Sequence, residues 1–148
     1  MRIEGALRDT LTAVSAAMAG ARDPWWVIGS AAAALHGAPV RAAEVDVLLG
    51  MEDARRLLPA LGVEPHPGGP HPLFRSDLFG TWRNGPLPVE FMAGFRCRDG
   101  RRWIPVRPVT RQSVAVGDAV VHLPSRDELK SMMERFGRPK DLERAALL

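Results

Sequence analysis

The chain has 148 residues, 46% of them hydrophobic and 25% charged, which is the composition of one ordinary globular domain and excludes wholesale disorder. No run of residues approaches the roughly 20 apolar positions needed to span a bilayer. The single cysteine, Cys97, excludes an internal disulfide, and the N-terminal residues do not resemble a signal or transit peptide. We therefore expect a single domain over residues 1–148, in the cytoplasm and without a membrane partner. The net charge of +3 is too small to indicate a nucleic-acid-binding protein by itself.

The first half of the chain alternates helical and extended patterns. Apolar spacings of three and four predict a first helix, with its buried stripe on Ile3, Leu7, Leu11, Val14 and Met18. Residues 25–28 predict a short buried strand, and the alanine-rich residues 31–35 predict a helix for which Ser30 is available as N-cap. Residues 44–49 predict a second strand, and residues 54–61 predict a third helix.

The second half is richer in extended segments. Residues 63–72, rich in Pro, Gly and His, predict a surface loop. From there to residue 123 the pattern is typical of strands joined by bends, which we expect at Asn84-Gly85, Asp99-Gly100 and Gly117-Asp118. A capping-box pattern at residues 125–128 begins a fourth helix, and Pro139 suits the first turn of a fifth. This order predicts an α+β (α/β) fold with a mixed sheet, helices packed on one side, and two C-terminal helices.

The first candidate binding feature is the junction at Gly29 and Ser30, where a strand passes directly into a helix. The first N–H groups of a helix carry partial positive charge and lack partners within the helix, so they can bind an anion such as a phosphate. Glycine lets a phosphate approach the backbone, and Ser30 adds a hydroxyl. By itself the junction is also consistent with a plain helix cap.

Three acidic residues form the second candidate feature. Because side chains alternate along a strand, Glu44 and Asp46 share one face of the predicted second strand. Alternation also places Glu90 on the polar face of its own strand. An isolated Glu-x-Asp is consistent with a polar outer face, but if the two strands are neighbours the three carboxylates could hold Mg²⁺ or Mn²⁺ in a two-metal centre.

The motifs resemble those of a known family. Residues 26–32 (WVIGSAA) and 44–49 (EVDVLL) resemble the Gly-Ser turn and acid-x-acid strand of the polymerase-β-like nucleotidyltransferase superfamily, whose members carry a third acid on a later strand. Residues 136–142 (FGRPKDL) are similar to the Arg-x-Lys-Asp-Leu segment of small bacterial members, including toxin components of toxin–antitoxin and abortive-infection systems.

The resemblance implies specific roles. Gly29 and Ser30 would contact the nucleotide phosphates, Glu44, Asp46 and Glu90 would bind the metal, and Asp46 and Glu90 would be catalytic. It also implies an Mg²⁺-dependent transfer of a nucleoside monophosphate from a nucleoside triphosphate to an RNA, protein or small-molecule acceptor. The chain departs from the family pattern at Glu44, usually aspartate, and at Met133, often lysine. The alternative is a catalytically degenerate nucleotide- or RNA-binding protein, or a toxin–antitoxin partner, on the same fold.

Other signals are weaker. Six arginines and Trp103 surround the Asp99-Gly100 bend, a pattern that suits phosphate contacts and base stacking but also a solvated hairpin that discourages edge pairing. His66 and His71 form an incomplete zinc ligand set. The two arginines that flank Cys97 predict a lowered thiol pKa, without an evident catalytic partner.

Overall fold

The computed structural model describes residues 3–148. Helices and strands follow one another along this part of the chain in the order α1 (Gly5–Ala17), β1 (Trp26–Ile28), α2 (Gly29–Leu35), β2 (Val45–Leu48), α3 (Met51–Ala60), β3 (His66–Gly68), β4 (Phe74–Trp82), β5 (Val89–Ala93), β6 (Arg96–Asp99), β7 (Arg102–Pro105), β8 (Gln112–Val116), β9 (Ala119–Leu123), α4 (Arg126–Phe136) and α5 (Pro139–Ala146).

Seven of the strands form one mixed sheet. Its order is β1-β2-β5-β4-β6-β7, with β3 paired to β4. Strands β2 and β5 are parallel, whereas the other pairs are antiparallel, and β8 and β9 form a separate hairpin. The predicted α+β fold with a mixed sheet, helices packed against it and two C-terminal helices is confirmed.

Alternation along the central strands separates the main core from the candidate site. Val45 and Val47 of β2 and Phe91 of β5 are fully buried in the main core, which also contains the apolar stripe of α1. Asp46 and Glu90, at the alternate positions, therefore lie on the opposite face of the sheet. A smaller apolar cluster lies on that face and consists of Ile28, Leu48, Met92, Phe95, Cys97, Val106 and Met132.

Two local predictions were wrong. Ser30 is not the N-cap of α2, because the helix begins at Gly29, two residues earlier than predicted, and the extended Ile28 occupies the cap position without a side-chain cap. Residues 63–72 are not all loop, because His66–Gly68 pairs with β4; glycine permits the close approach, since a Cβ at Gly68 would lie 3.0 Å from Phe79 Cβ. Asn84-Gly85 does form part of the bend of a hairpin, since β4 and β5 pair antiparallel with Trp82 opposite Val89, although the connection spans residues 83–88 rather than two residues.

The other turn predictions are confirmed. Gly117 and Asp118 are the two residues between β8 and β9, and Gly117 has a φ of +60°. Ser125 Oγ accepts the N–H of Glu128 at 3.2 Å, while the Glu128 carboxylate accepts the N–H of Thr110 at 2.8 Å instead of completing the capping box. In residues 3–148 the structure contains no helix long and apolar enough to cross a membrane.

Candidate functional site

The strand register brings the three predicted acids together. Asp46 of β2 lies beside Glu90 of β5 in the parallel register, and Glu44 immediately precedes β2. One carboxylate oxygen from each of the three lies within 4.8 Å of the others. The predicted polar face therefore exists, and its three carboxylates converge because β2 and β5 are neighbours.

Gly29 lies against this cluster. Strand β1 pairs with β2 so that Ile28 is opposite Asp46, and the chain then turns into α2 at Gly29 with a φ of +68°. A Cβ at residue 29 would lie only 2.7 Å from Asp46 Oδ2. Glycine is needed here for both the backbone conformation and the room that the carboxylate occupies. The next residue, Ser30, is buried but contributes to the wall of the cavity described below.

The acids are electrostatically strained. Burial raises the pKa of Asp46 to about 8, and repulsion from Glu44 and Glu90 adds to this effect, although Arg138 and Arg144 oppose it. Burial, together with the neighbouring Glu44 carboxyl, also raises the pKa of Glu90 to about 7. Asp46 Oδ1 is buried and has no hydrogen-bond partner within residues 3–148. A charged ligand that paired with this oxygen would therefore remove a desolvation cost.

The acids open into a cavity of about 530 Å³. Its lining contains three chemical groups, which are the acids Glu44, Asp46 and Glu90, an apolar group that includes Phe74, Phe79, Phe95, Met92, Met133 and Phe136, and a cationic group. The cationic group consists of Arg75, Arg138, Lys140 and Arg144, of which Arg138 and Arg144 are close enough to Asp46 to lower its pKa. A ligand with both an anionic part and a flat apolar part would match these walls.

Arg138, the N-cap residue of α5, and Arg144 within the helix are functional candidates to which sequence reasoning gave no role. Arg138 donates from Nε to Asp141 Oδ2 at 2.6 Å and from Nη2 to Oδ1 at 3.0 Å, so its guanidinium is held in place. Asp141 is only 2% exposed. Asp141 and Arg144 lie three residues apart on one face of α5, and Asp141 also pairs with the capping residue Arg138.

The remaining predicted features lie apart from the acids. His66 and His71 line the same cavity, but the described residues bring no third zinc ligand to them. Cys97 was expected to have a lowered pKa because arginines flank it; instead it is 2% exposed, and burial raises the pKa of its thiol. A buried thiol of this kind is not an activated nucleophile.

No family model and no curated protein matches the chain. Solved structures do match. A Thermotoga maritima protein described as a nucleotidyltransferase superposes with a TM-score of 0.74 at 20% identity, over 90% of this chain and 86% of that one. A nucleotidyltransferase-like antigenic protein from Paracoccidioides brasiliensis gives a TM-score of 0.57 at 17% identity, over 95% and 74% of the two chains. ANT(2″)-Ia in complex with adenylyl-2″-tobramycin gives 0.55 at 14% identity, over 93% and 86%.

These likenesses establish the fold. The chain has the polymerase-β-like nucleotidyltransferase fold that the Gly-Ser and acid-x-acid motifs predicted. The assignment to toxin–antitoxin or abortive-infection systems stays a prediction. At these identities the neighbours do not assign an activity, so the function must be argued from the residues of the site.

Proposed function

We propose that this protein is a divalent-metal-dependent nucleotidyltransferase, which transfers a nucleoside monophosphate from a nucleoside triphosphate to an acceptor hydroxyl. The observation that supports this most strongly is the convergence of Glu44, Asp46 and Glu90, with oxygens within 4.8 Å of one another, at one end of a ligand-sized cavity. Two neighbouring structures with the same fold are described as a nucleotidyltransferase and a nucleotidyltransferase-like protein, which agrees with this chemistry.

The residues of the site fit a divalent cation. Three close carboxylates repel one another, and the buried Asp46 Oδ1 has no hydrogen-bond partner among the described residues. Carboxylate oxygens are the ligands that Mg²⁺ and Mn²⁺ prefer. Glu44, Asp46 and Glu90 would therefore hold the metal. When bound, the metal would neutralise charge on the triphosphate and lower the pKa of the acceptor hydroxyl.

The protein's own groups would position the triphosphate. The backbone at Gly29 and the Ser30 hydroxyl border the acids, and Arg138, Lys140 and Arg144 form the cationic wall of the cavity. Arginine forks match phosphate oxygens in bidentate geometry, and the pairing of Arg138 with Asp141 limits the number of conformations available to its side chain. These groups would orient the α-phosphate for in-line attack and stabilise the charge that develops on the departing pyrophosphate.

The proton of the acceptor needs a base. Burial and the nearby Glu44 raise the pKa of Glu90 to about 7 in the metal-free protein, and a bound cation would lower that pKa again. The acceptor oxygen forms a bond to the α-phosphorus, the bond from that phosphorus to the bridging oxygen breaks, and pyrophosphate leaves. Glu90 or a water molecule would take the proton of the acceptor hydroxyl in this scheme.

Transfer from α-³²P-labelled triphosphates tests the proposal. The protein is incubated with each of the four nucleotides and Mg²⁺ or Mn²⁺, with RNA, protein or small-molecule acceptors, and pyrophosphate release is followed in parallel. Small molecules belong in the panel because ANT(2″)-Ia is seen with an adenylylated one. We expect Asp46→Asn to abolish transfer and Asp9→Asn, at an exposed position of α1, to leave it unchanged. Equal transfer by the wild type and the Asp46→Asn variant would refute the mechanism.

A second candidate is a catalytically degenerate nucleotide-binding protein, which could act as a toxin–antitoxin partner. The observation that favours it is Met133, which lines the cavity and is 1% exposed but supplies no charge where related enzymes often carry lysine. Calorimetry separates the two proposals. Binding of ATP with Mg²⁺ but no labelled product with any acceptor would favour the second, whereas transfer that depends on Asp46 would favour the first.

A further inference from the structure

We propose that the exposed face of the β6–β7 hairpin binds a single-stranded nucleic acid and guides its end into the cavity as the acceptor. We call this surface the basic hairpin face, and it consists of Arg75, Arg96, Arg98, Arg101 and Trp103. The acceptor role rests on the proposed function, but the binding itself does not.

The strand register places these side chains together. Residues directly opposite one another in an antiparallel pair lie on the same face of the sheet. Arg75 of β4 is opposite Arg96 of β6, and Arg98 is opposite Trp103 of β7. Arg96 and Arg98 are two residues apart and so also share a face. The arginines that were scattered in the sequence are therefore neighbours on one surface.

This surface has excess positive charge. Arg75, Arg98 and Arg101 are exposed. Two acids lie nearby: Asp77 is occupied by Arg96, whose two nitrogens donate to its oxygens at 3.2 Å, and Asp99 lies at the end of β6. Exposed arginines without a matching number of carboxylates attract a polyanion and release its counterions.

Trp103 distinguishes a nucleic acid from other polyanions. The guanidinium of Arg75 lies over the Trp103 ring, 4.1 Å from its centroid, and the indole is partly exposed. A stacked arginine and tryptophan present flat surfaces on which unpaired bases can stack. Bases in a duplex are already stacked on each other, and an acidic peptide would gain nothing from the indole. The face therefore fits a single strand best.

Arg75 also borders the cavity, next in sequence to Phe74 of its apolar lining, while its guanidinium lies over Trp103 on the other face of β4. A strand bound on Trp103 and Arg98 would pass Arg75 to reach the triphosphate site. In the reaction, the terminal hydroxyl oxygen of the strand would bond to the α-phosphorus, the bond to the pyrophosphate oxygen would break, the hydroxyl proton would pass to water, and the strand would become longer by one nucleotide.

Fluorescence anisotropy tests the binding with labelled 12-nucleotide single strands of RNA and DNA, duplex RNA and a poly-glutamate peptide. If about three phosphates are neutralised, affinity for the single strands falls about 20-fold between 50 and 200 mM salt. Arg98→Glu/Arg101→Glu should weaken binding by more than about tenfold and flatten this salt dependence. The matched control, Arg8→Glu/Arg22→Glu, alters two exposed arginines outside the face with the same change in net charge, and should bind as the wild type does.

Substitution of the tryptophan tests the stacking. Trp103→Ala should weaken binding about 5- to 100-fold, whereas Trp103→Phe should retain most of the affinity. Circular dichroism melts check that both tryptophan variants are folded. If Trp103→Ala does not fold, the Arg98→Glu/Arg101→Glu variant still decides whether the face binds a strand.

Two results would overturn the inference. One is equal loss of affinity in the hairpin pair and the control pair; the other is duplex RNA or the peptide binding as tightly as the single strands. Calorimetric titration of ATP with Mg²⁺ separates the two proposals, because the Arg98→Glu/Arg101→Glu variant should retain nucleotide binding. Nucleotide binding without strand binding contradicts only this inference, whereas strand binding without transfer contradicts only the proposed activity. Preference for RNA over DNA would identify the sugar, and equal binding of both would still support the proposed surface.

Discussion

Replacing Gly29 with alanine perturbs the site at a single methyl group. The added Cβ would lie 2.7 Å from Asp46 Oδ2, about 0.7 Å closer than the roughly 3.4 Å at which ordinary van der Waals contact begins. The φ of +68° adds a cost of about 1 kcal/mol for a residue with a Cβ. Because Asp46 is a proposed metal ligand, a displacement of this size should reduce transfer about 100-fold in addition to lowering stability.

Gly62→Ala is the matched control. Gly62 has a φ of +78°, so alanine there meets a similar backbone cost, but no atom lies within 4 Å of the added Cβ. Urea denaturation should show that Gly62→Ala destabilises the protein by about 1 kcal/mol, while titration of Mn²⁺ and the transfer assay should show no change. Gly29→Ala should lose stability and also bind Mn²⁺ at least about tenfold more weakly, since the carboxylate is displaced. If the two variants behaved identically in the metal titration, the contact between residue 29 and Asp46 would not matter to the site.

Two further predictions concern pH. Because the pKa values of Asp46 and Glu90, about 8 and about 7, lie above their unfolded values, the metal-free protein should lose stability as pH rises from about 4 towards 8. Mn²⁺ competes with the protons bound to Asp46 and Glu90, so it should raise the Tm more at pH 8 than at pH 6. The same rise in Tm at both pH values would contradict this prediction. So would a rise of the same size in the Asp46→Asn variant. Asp53 is 1% exposed. Burial works to raise its pKa, but the N–H groups of residues 22–23 and the Arg56 guanidinium outweigh this effect and leave its pKa lowered. Asp53→Asn should therefore cost about 2 kcal/mol at pH 7 in urea denaturation, a difference that shrinks as pH falls below about 4 and the wild-type carboxyl is protonated; a gap that did not change with pH would exclude the charge as its source.

The acidic cluster could be predicted because it depends on a local rule. Because side chains alternate along a strand, Asp46 lies on the face opposite to Val45 and Val47, independently of the rest of the fold. The same rule separates Glu90 from Val89 and Phe91. What alternation cannot provide is the neighbour of each strand. The parallel pairing of β2 with β5, which carries Glu90 to Asp46, was an assumption at the level of sequence and needed the structure.

The features that were missed depend on contacts between distant segments. Strand β3 contains Pro67 and Gly68, residues that weaken a strand, and it forms because β4 offers a long edge to pair with. Ser30 is a preferred N-cap type, but the helix begins two residues earlier than this cap would imply, at Gly29, whose conformation suits the approach of Asp46. Secondary-structure propensity describes a residue by itself. In β3 and at the start of α2, contacts with a distant segment determine the local structure instead.

The balance of charges around the cavity also cannot be predicted from the amino-acid composition, and this balance affects how the site would bind its ligands. Arg138 and Arg144 lower the pKa of Asp46, yet burial and the repulsion from Glu44 and Glu90 outweigh them and leave that pKa at about 8. Part of the charge on Arg138 is already compensated by its pairing with the buried Asp141. The protein's own cations therefore do not suffice to keep Asp46 and Glu90 fully ionised at neutral pH. A divalent cation would supply the missing charge, and the remaining positive wall would then be free for the phosphates, so metal and triphosphate should bind cooperatively rather than independently.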